Sequence, residues 1–224
     1  MNIFIYILPL AVALMLKGCS EESVGAGKGR ILKFLTDGNK DSEIDLQIYG
    51  GEIPVNLKDE NQVTPLIYAS RSGNVDLVKY LIRSGAEINY ESDSSGSPLY
   101  GALFKKNYDV AAILIDNGAD PDFPPYLPPI FIAIRKGDIE QVYFLVENGS
   151  DVNQVHQDGK HPLSFACMHA MFWSTSEYAD RNHKLFVYKH IIEYLMSKTS
   201  EEAKSRVDDD GNTYVHYLQK VDTM

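Results

Sequence analysis

The chain has few cysteines, few cations and no apolar run long enough for a membrane-spanning helix. Only 2 of its 224 residues are cysteines, Cys19 and Cys167, which excludes a disulfide-rich scaffold. Its 21 Lys and Arg residues stand against 31 Asp and Glu, a formal net charge of −10. It therefore lacks the cation surplus with which non-specific nucleic-acid binders neutralise phosphates. With 44% apolar and 23% charged residues, the composition is that of a globular protein with one large core or two small ones.

The longest apolar stretch lies at the N-terminus, from Ile3 to Leu16, and only Pro9 interrupts it. It is too short to cross a bilayer as a helix and matches the apolar part of a secretory signal. The stretch ends in Leu16-Lys17-Gly18-Cys19, and a polar, Gly-rich segment follows to Gly29. This ending resembles a bacterial lipoprotein signal, although no cation precedes the run and Lys17 stands where a small residue is usual.

The lipoprotein resemblance implies that residues 1–18 are removed and that the thiol of Cys19 is acylated. Residues 19–29 would be a flexible tether, and the membrane would be contacted through the lipid anchor only. Ser20 is not the Asp that resembles an inner-membrane retention signal, so the expected location is the outer membrane, facing the periplasm. The alternative is an unprocessed apolar N-terminus or a buried first helix.

The remainder of the chain is repetitive. Thr64-Pro65-Leu66 recurs as Ser97-Pro98-Leu99, Pro128-Pro129-Ile130 and His161-Pro162-Leu163, with prolines 33, 31 and 33 residues apart. A second set of anchors begins at Gly85, Gly118 and Gly149. Small and apolar residues lie between the two sets at helical spacing. A period of this length indicates a stack of supersecondary units, none of which buries its own apolar face.

These anchors resemble the ankyrin repeat, which implies an all-α array of helix–turn–helix units joined by short β-hairpins. In this pattern Thr64 and Ser97 cap the first helix of their repeats, and Gly85, Gly118 and Gly149 end the second helix in a left-handed conformation. The expected boundaries are a degenerate N-terminal capping repeat at 30–55 and the ankyrin-repeat domain at 56–220. The fourth repeat is interrupted by an insertion at about 168–187 that contains Trp173, the chain's one tryptophan.

No residue pattern predicts an enzyme, a metal site or a cofactor. The six histidines lack zinc-ligand spacing, and Cys167 occupies a position where the repeat requires a small buried residue. No serine, histidine and carboxylate stand in a recognisable catalytic frame. We therefore expect no catalytic residues, no metal and no cofactor.

Ankyrin-type proteins bind partners through the exposed ends of the first helices and through the hairpin tips. Carried over to this chain, the helix ends are basic with two apolar members, and the tips are mostly acidic, including Asp59 and Asp209. The resulting partner-binding candidates are Arg71, Ser72, Asp93, Phe104, Lys105, Arg135, Lys136, Asp158, Met168, His169 and Trp173. The alternative is that these helix ends are charged only because cations complement the helix dipole, and that Trp173 packs the insertion onto the stack.

The architecture resembles the ankyrin lipoproteins that act as immunity factors against antibacterial effectors of type VI secretion, notably phospholipases. This resemblance implies a protein partner, a toxin effector such as a phospholipase, and no nucleic acid. One alternative is an accessory or envelope-stress lipoprotein that partners a periplasmic enzyme. Another is a cryptic enzyme built on the insertion, with His169, Tyr178 and His183 as its candidate titratable groups.

Overall fold

The computed structural model describes residues 55–222. They fold into two compact units, the first ending at Ala119 and the second beginning at Asp120. The expected signal segment 1–18, Cys19, the tether 19–29 and nearly all of the capping repeat 30–55 lie outside the described residues. None of the helices in residues 55–222 is long and apolar enough to cross a membrane.

The first unit contains two helical pairs, which are α1 (Pro65–Ser72) with α2 (Val75–Arg83) and α3 (Pro98–Phe104) with α4 (Tyr108–Asp116). Helix α1 packs on α3, and α2 packs on α4. Ala69 and Ala102 are fully buried, and their small side chains allow the first helices to approach closely. Around them lie leucines such as Leu66 and Leu99, each of which stabilises the unit by roughly 1.5–3 kcal/mol on burial.

The second unit contains α5 (Pro129–Lys136), α6 (Ile139–Glu147), α7 (Pro162–Ser174), α8 (Arg181–Lys198), α9 (Glu201–Ser205) and α10 (Tyr214–Asp222). Helix α7 is its centre and packs against α5, α8 and α10. Ala133 and Ala166 repeat the fully buried alanines of the first unit. We call α1, α3, α5 and α7 the inner helices, and α2, α4, α6 and α8 the outer helices.

The helix ends form as the anchors predict. The hydroxyl oxygen of Thr64 accepts the N–H of Ile67 at 3.4 Å, and that of Ser97 accepts the N–H of Tyr100 at 3.1 Å. A proline follows each cap in the first helical turn, where its missing N–H leaves no donor unsatisfied. Gly85, Gly118 and Gly149 have φ values of +87°, +97° and +92°, which confirms the predicted left-handed residues after the outer helices.

The tips between repeats are tight turns. In the tips that begin at Asp59, Ser92, His156 and Asp208, the first N–H donates to the carbonyl oxygen four residues later, at 2.8–3.2 Å. Within residues 55–222 the β structure is limited to an isolated bridge between Ser92 and Gly96, so the expected β-hairpins are reduced to turns. The Pro-rich third tip differs: the N–H of Leu127 donates to the carbonyl of Pro124, and the Phe123–Pro124 peptide is cis.

The insertion in the fourth repeat is mostly helical. Helix α7 has 13 residues, whereas α1, α3 and α5 have 8, 7 and 8. Helix α8 has 18 residues, whereas α2, α4 and α6 have 9 each. The extra residues thus lengthen both helices of the repeat around a short loop at 175–180.

Candidate functional site

In the first unit, the candidate residues lie at the ends of α1 and α3. The Arg71 guanidinium donates to the Ser95 hydroxyl at 3.2 Å, which ties the end of α1 to the second tip beside exposed Asp93. A Cβ added to Gly101 would lie 2.7 Å from Cγ of Arg71, so the Arg71 side chain packs directly over α3. Ser72 is exposed, and its hydroxyl donates to the carbonyl of Ala69 at 3.0 Å.

Phe104 is the large apolar side chain that the end of α3 exposes. It is 51% exposed, and its ring stacks on Tyr100 with centroids 6.1 Å apart. The ammonium of Lys105 lies 5.8 Å from the Phe104 centroid. This end of α3 therefore presents an aromatic ring beside a cation, a combination common in protein interfaces.

In the second unit, the candidate histidine of α7 lies in an aromatic row. The ring of His169 contacts Phe165 at 4.8 Å and stacks nearly parallel on Tyr188 at 5.8 Å, with 9° between the planes. Phe165 in turn contacts Phe131 and His156 at 5.3 and 5.7 Å. Burial, together with the charge of Arg135, lowers the pKa of His169. Met168 precedes it and is half-buried.

Trp173 is half-buried near the end of α7, beside the exposed side chains of Phe172 and Tyr178. Its ring centroid lies 5.7 Å from that of Phe172 and 6.0 Å from that of Tyr178, and the Lys184 ammonium lies 5.7 Å from it. We call Phe172, Trp173, Tyr178 and Lys184 the apex cluster. Of these four residues, the sequence predicted only Trp173 to bind a partner.

Helix α8 connects the apex cluster to the basic end of α5. The Tyr188 hydroxyl donates to the carbonyls of Ile134 and Arg135 at 3.0 and 3.1 Å, and Lys184 donates to the carbonyl of Lys136 at 3.3 Å. Burial raises the pKa of Tyr188 to about 12, although a side-chain hydrogen bond with Trp173 opposes that shift. Helix α8 thus links the main chain at Arg135 and Lys136 to His169 and Trp173.

The position of Tyr188 corresponds to that of an asparagine in the first unit. There, the Asn107 amide donates to the carbonyls of Ser70 and Arg71 at 3.0 and 3.1 Å. Both residues satisfy carbonyls at the C-terminal end of an inner helix. The sequence does not predict that Tyr188 takes the role of Asn107, because the two residues share no local sequence pattern.

Asp158, which we predicted to face a partner, pairs within the second unit while 38% of its side chain stays exposed. Its carboxylate accepts from His156 at 2.8 Å and lies 3.6 Å from the Lys160 ammonium. Lys160 is 3% exposed and also pairs with Asp208 at 3.3 Å and Asp210 at 2.9 Å. We call Lys160, Asp158, Asp208 and Asp210 the Lys160 cluster.

The Lys160 cluster stabilises the charged forms of its members. Burial by itself lowers the pKa of Lys160, but the Asp210 hydrogen bond and the Asp158 charge outweigh it and raise that pKa. Burial alone raises the pKa values of Asp158 and Asp208, whereas hydrogen bonds from His156 and Tyr217 lower them overall. Two acidic tips are therefore partly neutralised internally.

The first tip uses its aspartate in the same way as the last. The Asp59 carboxylate accepts the N–H groups of Asn61 and Val63 at 2.8 Å and the Tyr68 hydroxyl at 2.6 Å. The Asp208 carboxylate likewise accepts the N–H groups of Asp210 and Asn212 and the Tyr217 hydroxyl, the last at 2.6 Å. Asp59 is buried, so this tip aspartate shapes the turn and is not free to meet a partner.

The fourth repeat contains a serine–histidine pair with a structural explanation. His161 Nε2 and Ser164 Oγ lie 2.8 Å apart, both buried at the start of α7. In the last repeat, Thr213 donates through its N–H and hydroxyl to Nδ1 of His216, at 3.0 Å each. The fourth repeat makes the corresponding contact with hydroxyl and imidazole exchanged. Burial, helped by Arg206, lowers the pKa of His161 to about 4, so the ring is neutral at pH 7.

The other candidates for chemistry differ in their burial. Cys167 is fully buried, as predicted for a small core residue, and burial raises its thiol pKa. Tyr178 and His183 are exposed, whereas His169 is half-buried beneath Tyr188. In the part of the chain that the structure describes, no three His, Cys, Asp or Glu side chains form a group that could hold a metal ion.

Known proteins resemble this chain through its repeats. Residues 24–124 match the family model described as ankyrin repeats (3 copies). The fowlpox virus (strain NVSL) ankyrin repeat protein FPV244 is 34% identical over 114 residues, 51% of this chain and 17% of that protein. Ankyrin repeat and SOCS box protein 11 of Danio rerio is 32% identical over 101 residues, 45% of this chain and 34% of that protein. The chain thus spans about a sixth to a third of the length of these two relatives.

A solved structure matches most of the chain. It is the Bd0816 predatory endopeptidase from Bdellovibrio bacteriovorus in complex with immunity protein Bd3460, with a TM-score of 0.61 and 18% identity. The match covers 86% of this chain and 92% of that one. At this identity the similarity concerns the fold. Together with the repeat match, it confirms the predicted all-α ankyrin-repeat fold.

Proposed function

We propose that this ankyrin-repeat chain is an immunity protein that binds and neutralises an antibacterial hydrolase, in the first instance a phospholipase effector of type VI secretion. The proposal includes lipid anchoring through Cys19 at the outer membrane, with the repeats facing the periplasm. A protein tethered there would meet a delivered toxin before the toxin reached the phospholipid. Its role requires binding and no chemistry of its own.

One observation carries the proposal, namely the aromatic row of the second unit. His169 lies in this row, Tyr188 links the row to Trp173 and to the basic end of α5, and the exposed rings of the apex cluster continue it. Aromatic and arginine side chains supply most hot spots of protein interfaces. A neighbouring fold that is an immunity protein in complex with an endopeptidase supports the same class of function. That neighbour's partner makes an endopeptidase the second hydrolase class to test.

Competition between sibling cells tests the function. A strain that lacks this gene should be killed by siblings that deliver the hydrolase, and a wild-type copy should restore survival. Released lysophospholipid during killing would identify a phospholipase, whereas cleaved peptide cross-links would identify an endopeptidase. If the deleted strain survived attack as well as its parent, the immunity function would be wrong.

A Cys19→Ala copy tests the anchor separately. We expect it to leave the protein unacylated and to reduce protection, because the binding surface would no longer be held at the membrane. Acylation is measured by incorporation of labelled palmitate. Full protection by an unacylated protein would contradict the need for the anchor and leave the immunity function standing.

A further inference from the structure

The lengthened helices of the fourth repeat carry aromatic side chains in a segment that has no counterpart in the shorter inner helices. Helix α7 exceeds α5 by five residues, since it has 13 and α5 has 8. At about 1.5 Å per residue, this adds roughly 7 Å of helix. Phe172 and Trp173 lie in this added part, and Tyr178 lies in the loop that follows.

The apex cluster exposes a large aromatic surface. Phe172 is 55% exposed and Tyr178 is 68% exposed, and their rings contact the Trp173 ring. At about 200 Å² for each aromatic side chain, the two leave roughly 250 Å² in water. Tyr188, by contrast, is fully buried and binds the end of α5 through its hydroxyl.

The cluster is also held in place before any partner arrives. Trp173 is hydrogen-bonded to Tyr188, which binds the carbonyls of Ile134 and Arg135. Lys184 binds the carbonyl of Lys136 while its ammonium faces the Trp173 ring. Side chains fixed in this way lose little conformational entropy on binding, so their exposed area contributes efficiently to affinity.

Charge selects the kind of occupant. Lys184 stands with Arg135 and Lys136 on the α5 side, whereas exposed Glu177 and Asp180 lie in the loop around Tyr178. Those two carboxylates oppose insertion of the loop into an anionic phospholipid surface. A small rigid aromatic projection beside cations instead suits a pocket on another protein whose edge carries carboxylates.

We infer that the apex cluster is the anchor by which this chain enters an apolar recess of a partner protein, with carboxylates on the recess edge pairing with Lys184, Arg135 and Lys136. The inference rests on the proposed function only in taking the bound macromolecule to be a protein. It assigns the anchoring role to Phe172 and Tyr178, which flank Trp173. It assigns the charge pairing only to Lys184, Arg135 and Lys136.

Site-specific photo-crosslinking in the native cell tests the position of the partner. The probe is the full-length chain with benzoylphenylalanine at Phe172 or at Tyr178, and the matched control carries it at Tyr143 of α6, which is 37% exposed. We expect the same single protein to be linked from both apex positions and not from the control. An adduct of two copies of this chain, a lipid adduct, equal linking from Tyr143 or no adduct would each overturn the inference.

The captured protein, once purified, tests the chemistry. We expect Lys184→Glu and Phe172→Ser each to weaken its binding about tenfold or more, whereas Lys189→Glu, an exposed charge on the same helix, changes it less than about twofold. Phe172→Ser leaves the Lys184 contact with α5 intact, so its loss of affinity would not stem from a detached helix. Equal affinity of Lys184→Glu and Lys189→Glu would overturn the charge pairing.

The outcomes separate this inference from the immunity function. If the linked protein is no hydrolase and the deleted strain resists sibling attack, the immunity function fails and the anchor stands. If the strain is protected but the apex positions link to nothing, the anchor fails and the immunity function stands.

Discussion

At the scale of single residues, Lys160 shows how a charged side chain that the sequence predicts to lie on the surface can be buried. Its ammonium contacts Asp158, Asp208 and Asp210, the last of them 50 positions away, and the side chain is 3% exposed. Pairing at that separation leaves no local pattern. Asp158 therefore resembled a free tip carboxylate in sequence, although His156 and Lys160 both bind it.

Replacement of Lys160 should destabilise the second unit. Lys160→Met leaves the carboxylates of Asp158 and Asp208 without their shared cation, and we expect a loss of about 2–3 kcal/mol in the free energy of unfolding. Lys198→Met is the matched control, because it removes an ion pair with Glu147 whose two side chains are 41% and 61% exposed. The control should lose less than about 1 kcal/mol. Urea denaturation followed by circular dichroism measures both, and equal losses would contradict the role of burial.

The same residues predict how stability changes with pH. His161 has a folded pKa of about 4, below its ordinary 6.5, so unfolding takes up a proton and stability falls as pH drops from 6.5 towards 4. The pKa values of Asp158 and Asp208 are lowered from 3.8, so their contribution is complete above pH 3.8 and is lost as pH falls below it. Thermal melts from pH 8 to pH 3 should show both phases. The pKa of His169 is also lowered, so His169 adds to the first phase. His161→Asn should therefore reduce that phase, and an unchanged profile would contradict the contribution of His161.

At the scale of elements, the repeat anchors predicted the inner and outer helices, their caps and their glycine ends. They did not predict that the insertion is helical. Asn182, His183 and Phe186 at the start of α8 are exposed, so they show no apolar period from which a helix could be read. The contact between neighbouring tips was equally invisible, since it is made by main-chain groups: the N–H of Asp209 donates to the carbonyl of Asp158 at 3.3 Å.

Two glycines test the contact between those tips. Gly159 and Gly211 have φ values of +77° and +80°, so an alanine at either position is strained by about 1–2 kcal/mol. At Gly159 the added Cβ would also lie 2.8 Å from the main-chain N of Asp209, whereas at Gly211 it would meet nothing within 4 Å. We expect Gly159→Ala to cost clearly more than Gly211→Ala and to speed amide hydrogen exchange in α10. If both variants behaved alike, the tips would not support each other.

At the scale of the whole molecule, the net charge of −10 conceals a local arrangement. Part of the acidic charge is internal, since Asp59 is buried and Lys160 is surrounded by three carboxylates. The exposed end of α5 carries Arg135 and Lys136. The repeat frame predicted these two cations from the sequence, whereas their connection to the apex cluster depends on Lys184 and Tyr188, which no repeat position specifies.

Reversal of charge at the end of α5 should slow association with the proposed partner protein. Arg135→Glu and Lys136→Glu together should reduce the association rate about tenfold at low salt, with a smaller effect at high salt. The matched control reverses Lys79 and Arg83, which are exposed on α2, and so gives the same net charge. Stopped-flow measurements compare the two variants. Equal slowing would mean that total charge, and not the end of α5, governs association.

The exchanged pair His161 and Ser164 also bears on how such repeats are recognised. Thr213 and His216 make a hydroxyl–imidazole contact in one order, and His161 and Ser164 make it in the other. A sequence comparison that scores each repeat position separately counts two mismatches in the fourth repeat, although a hydroxyl still meets an imidazole there. Scoring the two positions as a pair would count both arrangements as matches.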